Sequence, residues 1–345
     1  MHEYWQVASG AAGRDYKDDF LRLGIACVGG DQQVKIMTEV AEGDRILLKK
    51  GTGRVFAVGE VLESLNEPLD DEWLFDFDGW NLKAGVRVEW YNATKEILED
   101  CGKLSWDAIS RVHNVLLRER MDEVIRNGQP ISTDPWDLSA MQNKCRPVPE
   151  EELLRGLIGI GLSPSRADDL METFRRIRLL AGYYNDACDQ LRCYRSDIRE
   201  HEIRTFLVAP LLVALGWAEQ QIKIELGVGG GKRVDMACFS RPYQGKISGA
   251  ESTDCRLIVE TKKFSEGLSP YAREQAAKYA ERFPECRVIA VSNGYVYKTF
   301  VRDDDEFPPE PQAYLNLLRP RKHSLVHDKA DGAFEVLASL LPGQE

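Results

Sequence analysis

Leu257-Ile-Val259 is the stretch that leaves this chain the fewest options. An unbroken aliphatic run of this kind reads as a strand buried on both faces. It ends in Glu260-Thr-Lys262, where unpaired charge would be costly to bury. Residues two apart on a strand leave the same face, so Glu260 and Lys262 are expected side by side. Upstream, Arg233-Val-Asp-Met-Ala-Cys-Phe239 reads as a short strand with one inward acid, Asp235. Two acids and an ammonium on one face of a sheet suit a divalent cation next to a group that can handle protons. The simpler reading of Glu260 and Lys262 alone is a surface ion pair worth at most about 1 kcal/mol.

The flanking elements decide between these readings. Residues 200–217 read as an amphipathic helix stopped by Gly216. Gln221 to Leu226 reads as a strand, Gly227 to Gly231 as a turn, and 240–254 as a polar loop. After the Glu260 strand come a helix from Ser269 to Arg282 and strands at Arg287–Val291 and Tyr295–Phe300. The run contains Glu200 with Arg204, Pro210-Leu-Leu-Val-Ala-Leu-Gly-Trp217, Asp235, Glu260/Lys262, and Gln275 with Tyr279. In this order it resembles the PD-(D/E)xK nucleases, in the branch that forms the nuclease domain of type I restriction motor subunits. The resemblance covers about 110 residues. It implies that Asp235 and Glu260 bind Mg2+, which Mn2+ can replace, and that Lys262 serves the attacking water. It also implies hydrolysis of a DNA phosphodiester that leaves a 5′-phosphate.

Two acids compete for a further metal position on the helix. At 100° per residue the apolar set Ile203, Phe206, Leu207, Pro210, Leu211 and Ala214 centres near Ile203. Glu200 lies about 60° from that direction and Glu202 about 100° the other way, which favours Glu200. Gln275 and Tyr279 are i, i+4 on one helix face and are expected to contact substrate or hold Lys262.

The first hundred residues read as a mostly β domain. Strands are expected at Tyr4–Ala8, Arg45–Lys49, Arg54–Leu62 and Gly85–Trp90, with a helix over Asp15–Leu23. The pieces Tyr4-Trp5, Gly24-Ile-Ala26, Gly43-Asp-Arg-Ile46, Ala57-Val-Gly-Glu-Val61 and Val86-Arg-Val-Glu-Trp90 resemble the EVE branch of the PUA-like folds. Such small barrels hold a modified base in an aromatic-walled pocket. A flipped base needs stacking surfaces and hydrogen-bond partners for its edge, and a carboxylate can accept from a cytosine amino group. Trp73, Phe75, Asp76 and Trp80 are the candidate pocket residues, with Trp5 and Ser9. The plainer alternative makes Trp5 and Trp90 core and 73–80 a loop packed on the barrel. From Glu63 to Asp78 there are seven acids and no Lys or Arg. A nucleic-acid backbone is therefore expected elsewhere, along Lys49-Lys50 and Arg54.

Residues 106–127 are expected as one helix, on a stripe of Ile109, Val112, Leu116, Val124 and Ile125. Four prolines mark 128–149 as a linker. Residues 150–199 read as a helical connector, with helices at 150–160 and from Ser165 through about Tyr184, and 200–345 as the nuclease domain. The expected fold class is thus mixed α+β: an EVE-like β-barrel with a trailing helix over 1–127, a linker, a helical connector and an α/β nuclease core.

Composition narrows the function classes. The net charge of −11 argues against a broad basic surface, though binding depends on local charge. The eight cysteines are scattered without a Cys-x-x-Cys, against a zinc site and for a reducing cytoplasm. No apolar run approaches the ~20 residues of a membrane span, and the first residues do not read as a signal peptide. No phosphate-loop motif accompanies Gly229-Gly-Gly231, so no translocation motor is expected. A base reader joined to a cutter, without motor or methyltransferase, reads as a modification-dependent endonuclease. It would act on double-stranded DNA carrying modified bases, most simply modified cytosine, in anti-phage defence. One active site per chain and two strands to cut favour a homodimer. Two alternatives are a nuclease switched on by a nucleotide or modified RNA base in the N-terminal pocket, and a non-cleaving module that binds modified nucleic acid.

Overall fold

The computed structural model describes residues 2–10, 13–65, 75–134, 136–137, 146–190, 198–243, 254–324, 326–327 and 329–343. The chain forms two compact units, 1–140 and 141–345, divided within the proline-marked segment. Each is mixed α and β around a curled six-stranded sheet, and eight α-helices fall among the described residues.

The first unit contains β1 (Tyr4–Ala8), β2 (Ile25–Val28), β3 (Arg45–Lys50), β4 (Arg54–Ser64), β5 (Phe75–Phe77), β6 (Trp80–Leu82), β7 (Ala84–Asn92) and β8 (Ile109–Arg111). The sheet order is β2-β7-β4-β3-β1-β8, and β5 and β6 form a separate hairpin. β1 runs parallel to β3, and its other neighbour, β8, is antiparallel. Register shifts at Leu48/Lys49 and Val61/Glu63 bend the long β3–β4–β7 ribbon, as bulges do. Helix α1 (Lys17–Leu23) ends at Gly24, whose φ of +62° closes the helix and turns the chain into β2. Helix α2 (Asp31–Met37) follows.

Residues 106–127 depart from the single helix expected. Ile109–Arg111 pairs with β1, and helix α3 spans only Val115–Asn127. Asn114 caps it, its side chain accepting from Leu117 N at 3.0 Å. A cap fixes where a helix starts, so Ile109 and Val112 serve the sheet. The buried residues of α3 are Leu117 and Met121, while Leu116 is exposed.

The second unit begins with α4 (Glu150–Gly159) and α5 (Pro164–Gln190). Leu153, Leu157, Leu170, Phe174, Ile177 and Ala181 belong to the same core as the C-terminal sheet. The expected connector is therefore part of this unit: its apolar face is completed by the sheet domain's own helices. Helix α6 covers 200–214 as one turn of α-helix, a π turn at Arg204–Val208, and a second α segment, Ala209–Ala214. The π turn adds a residue and rotates the downstream face. Val208, Leu212 and Leu215 are buried in consequence, and Phe206, expected on the core face, is 46% exposed.

Strands β9 (Ile222–Gly227), β10 (Arg233–Phe239), β11 (Cys255–Thr261), β12 (Val288–Ser292), β13 (Val296–Val301) and β14 (Ala313–Asn316) lie in sequence order across the sheet. Only the β11–β12 pair is parallel. A parallel pair needs a crossover, supplied by α7 (Pro270–Ala280), which packs on both strands. Helix α8 (Ala333–Leu340) buries Val336, Leu337 and Leu340 against β13 and β14.

Candidate active site

Asp235, Glu260 and Lys262 meet where β10 begins and the antiparallel β11 ends, beside α6. The register Ile224↔Met236↔Val259 runs straight across β9, β10 and β11. Carried one residue further, it sets Glu225, Asp235 and Glu260 in a row, so three acids share one edge of the sheet.

Such a row needs counter-charge, and three cations supply it: Arg204, Lys262 and Arg233, whose Nη1 donates to Glu225 Oε2 at 3.0 Å. Arg204, buried on the π turn of α6, donates from Nη1 to Asp235 Oδ1 at 2.9 Å and to Thr261 Oγ1 at 3.2 Å. Its Nη2 donates to Glu225 Oε1 at 2.9 Å. Glu225 is held at a φ of +52°, a conformation uncommon for a residue with a side chain. Asp235 Oδ2 accepts from Thr261 N at 2.8 Å and Thr261 Oγ1 at 2.7 Å. Lys262 donates from Nζ to Glu260 Oε1 at 2.7 Å, and its own backbone N–H bonds to Ser292 O at 2.8 Å.

Two members of the group keep a buried polar atom without a partner among the described residues, Arg204 at Nε and Glu260 at Oε2. Glu260 is 1% exposed. Burial pushes its carboxyl up to about 7, and Asp235 adds to this against the pull of Lys262. Burial also raises the Glu200 carboxyl, with Lys262 opposing. Burial acts to lower Lys262, but the bond to Glu260 and the nearby acids outweigh it and hold the ammonium above its ordinary value.

The two helix acids have different surroundings. Glu200 is within electrostatic reach of Lys262, Asp235 and Glu266. Glu202 instead accepts from Arg199 N at 2.9 Å, closing the first turn of its own helix. Gln275 donates to Tyr279 Oη at 3.2 Å along α7. Among the described residues, neither side chain bonds to Asp235, Glu260 or Lys262. Arg204, Thr261 and Glu225 were not among the expected site residues. The signal for Arg204 was an arginine four residues after Glu200, within the apolar part of the helix.

Asp235 and Glu260 offer the hard oxygens that a divalent cation takes, and the unpartnered Glu260 Oε2 fits that role. Among the described residues, no three His, Cys, Asp or Glu side chains stand close enough together to form a ready cage. Arg204 and Thr261 occupy both oxygens of Asp235.

The expected base-pocket residues of the first unit divide. Trp5 is fully buried, donating from Nε1 to Asp44 Oδ2 at 2.9 Å, with Arg111 over its ring. It presents no open face to a base. Phe75 is buried edge-on to Trp136, and Asp76 Oδ1 accepts from Gly79 N at 2.8 Å. Trp80 is partly exposed and stacks on Tyr16 at 5.6 Å between centroids. Tyr16 in turn donates to Asp78 Oδ2 at 3.2 Å. Ser9 is buried and its Oγ has no partner among the described residues. Trp73 lies outside the described residues. Lys49, expected along a nucleic-acid backbone, is fully buried. Its Nζ donates to Ser105 O at 2.8 Å and Asp107 O at 2.9 Å, so it ties a loop to the sheet and cannot reach a phosphate. Lys50 pairs with Asp15 at 2.7 Å, and Arg54 is exposed.

No protein-family model matches the chain, and no curated protein shows significant similarity to it. Among the described residues, no helix is long and apolar enough to cross a membrane.

Proposed function

We propose that the second unit is a metal-dependent phosphodiesterase centre. The observation that carries this reading is the buried, unpartnered carboxylate oxygen of Glu260 beside Asp235 and the Lys262 ammonium. A stabilising ion pair would satisfy both carboxylate oxygens, because an orphaned buried acceptor costs about 1–3 kcal/mol. A site that receives a cation and a phosphate tolerates that cost.

Asp235 and Glu260 would hold Mg2+ or Mn2+, with Glu200 nearby. When bound, the ion supplies charge stabilisation at phosphorus and a more acidic water. The chain's own groups do the rest. Arg204 and Thr261 fix the Asp235 carboxylate in one orientation. Lys262, held in its cationic form, offers donors to a non-bridging phosphate oxygen or to the attacking water. Burial of Glu260 keeps the local dielectric low, which strengthens each of these interactions.

More particularly, we read the chain as a modification-dependent DNA endonuclease. The Tyr16–Trp80 stack, with Asp78 and the unpaired Ser9 hydroxyl beside it in the chain's first unit, supports a base-reading role there. The expected substrate is double-stranded DNA carrying modified cytosine, cut by a homodimer. The test is cleavage of matched plain and modified duplexes by the full chain with Mg2+. Modified DNA should be cut, and equal cutting of both would remove the reader.

A further inference from the structure

We infer that the second unit carries a separate nucleotide-binding groove between α5 and α6. It is a concavity of about 730 Å3, within the range of small-ligand sites. Arg166, Asp169, Thr173 and Arg176 form one stripe of α5 at spacings of three and four residues. Thr205, Ala209 and Val213 form the facing stripe of α6. Small side chains on the α6 wall leave the space open, and Gly216, at a φ of +110°, closes one end.

The charge pattern is selective. Arg175 and Arg178 on the same helix bond to Glu150, and Arg175 also to Glu172. Among the described residues, Arg166 and Arg176 meet no carboxylate. Arg176 makes one long bond, at 3.4 Å, to the Phe206 carbonyl on the π turn. In a chain of net charge −11, two unpaired guanidiniums facing one concavity favour a phosphate, which they can grip with paired donors. Two other features extend the ligand beyond phosphate. Val213, 39% exposed, lines the groove with Pro210 and Ala214, an apolar surface suited to a base. The exposed Asp169 carboxylate is an acceptor for sugar hydroxyls or a base amino group.

Arg204 and Phe206 belong to the same π turn. A ligand that draws on Arg176 therefore acts on the segment that holds Arg204 against Asp235. This coupling, unlike the binding itself, rests on the phosphodiesterase reading.

The test is calorimetric titration of the full chain in EDTA, so that nothing is cleaved. The probes are ATP, deoxycytidine monophosphate, inorganic phosphate and a short unmodified duplex. The nucleotides are expected to bind more tightly than phosphate. The Arg166→Ala/Arg176→Ala variant should bind them at least about tenfold more weakly, as loss of charge-assisted hydrogen bonds predicts. Both side chains are exposed, so its melting temperature should not change. Binding of the duplex alone, lost in the same variant, would keep the phosphate-ester chemistry and assign it to a polynucleotide backbone. No binding at millimolar nucleotide or duplex, or binding unaltered in the variant, overturns the groove. The readout needs no cleavage, so an inactive nuclease and an empty groove are separate results.

Discussion

Both units bury charge at the heart of a curled sheet, and they settle it in opposite ways. In the first unit the hydrogen-bond partners of buried Asp44 and Lys49 are neutral groups. Asp44 accepts from Glu3 N, Trp5 Nε1 and Ala41 N, and Lys49 donates to backbone carbonyls. In the second unit the buried charges face one another, Asp235 with Arg204 and Glu260 with Lys262, and one oxygen is left over. The satisfied charges hold a scaffold in place. On the reading proposed above, the incompletely satisfied ones are where a cation and a phosphate would bind.

The widest test of this contrast is activity. Asp235→Ala or Lys262→Ala should lower DNA cleavage by about a thousandfold or more, in line with removal of groups that act on the transition state. Wild-type rates in both variants would reduce the cluster to architecture. Next in size, Trp5→Ala should destabilise the first unit by about 3–5 kcal/mol, the usual cost of emptying a large core site. Denaturant melts would show this as an earlier transition, and a change under 1 kcal/mol would mean that Trp5 is not a core anchor.

The subtlest test is the sign of the pH dependence. Glu260 in the folded chain titrates at about 7 instead of its ordinary 4.5. Between those values the folded state holds the extra proton, so this group's contribution to stability is full below 4.5 and is lost as pH rises through 7. Lys49 is lowered to about 8 from 10.5, chiefly by burial. Here the unfolded state holds the extra proton, so stability rises with pH between 8 and 10.5. Glu260→Gln should remove the first slope and Lys49→Met the second. Slopes that persist in these variants would assign them to other groups.

The sequence showed local elements more readily than pairings. Tyr4–Ala8 and Arg233–Phe239 form strands at the bounds their alternation suggests. Glu260 and Lys262 could be placed on one face because strand geometry has a fixed period of two, whereas Asp235 joins them through the β10–β11 register. Ile109–Arg111 could not be read, because its strand character comes from pairing with a segment about a hundred residues away. Glu225 was hidden for a related reason: its meaning lies in the row across β9, β10 and β11, which no local spacing encodes, whereas Arg204 stood four residues after Glu200 in the sequence. The helix Ala333–Leu340 is legible in its apolar spacing, since Ala333, Val336, Leu337 and Leu340 share its buried face. The Phe206 error came from assuming 3.6 residues per turn through a segment that contains a π turn.

That turn makes α6 a helix with a built-in phase. Its lower half is keyed to the core by Leu211, Leu212 and Leu215, while its upper half presents Glu200 and Arg204 in a rotation set by one surplus residue. Deleting a single residue between 204 and 208 would restore ideal helix and leave every core contact below it in place. The side chains above, Glu200, Arg204 and the buried Ile203, would swing by about 100°, so the acids would lose their clamp and the helix one of its core anchors together.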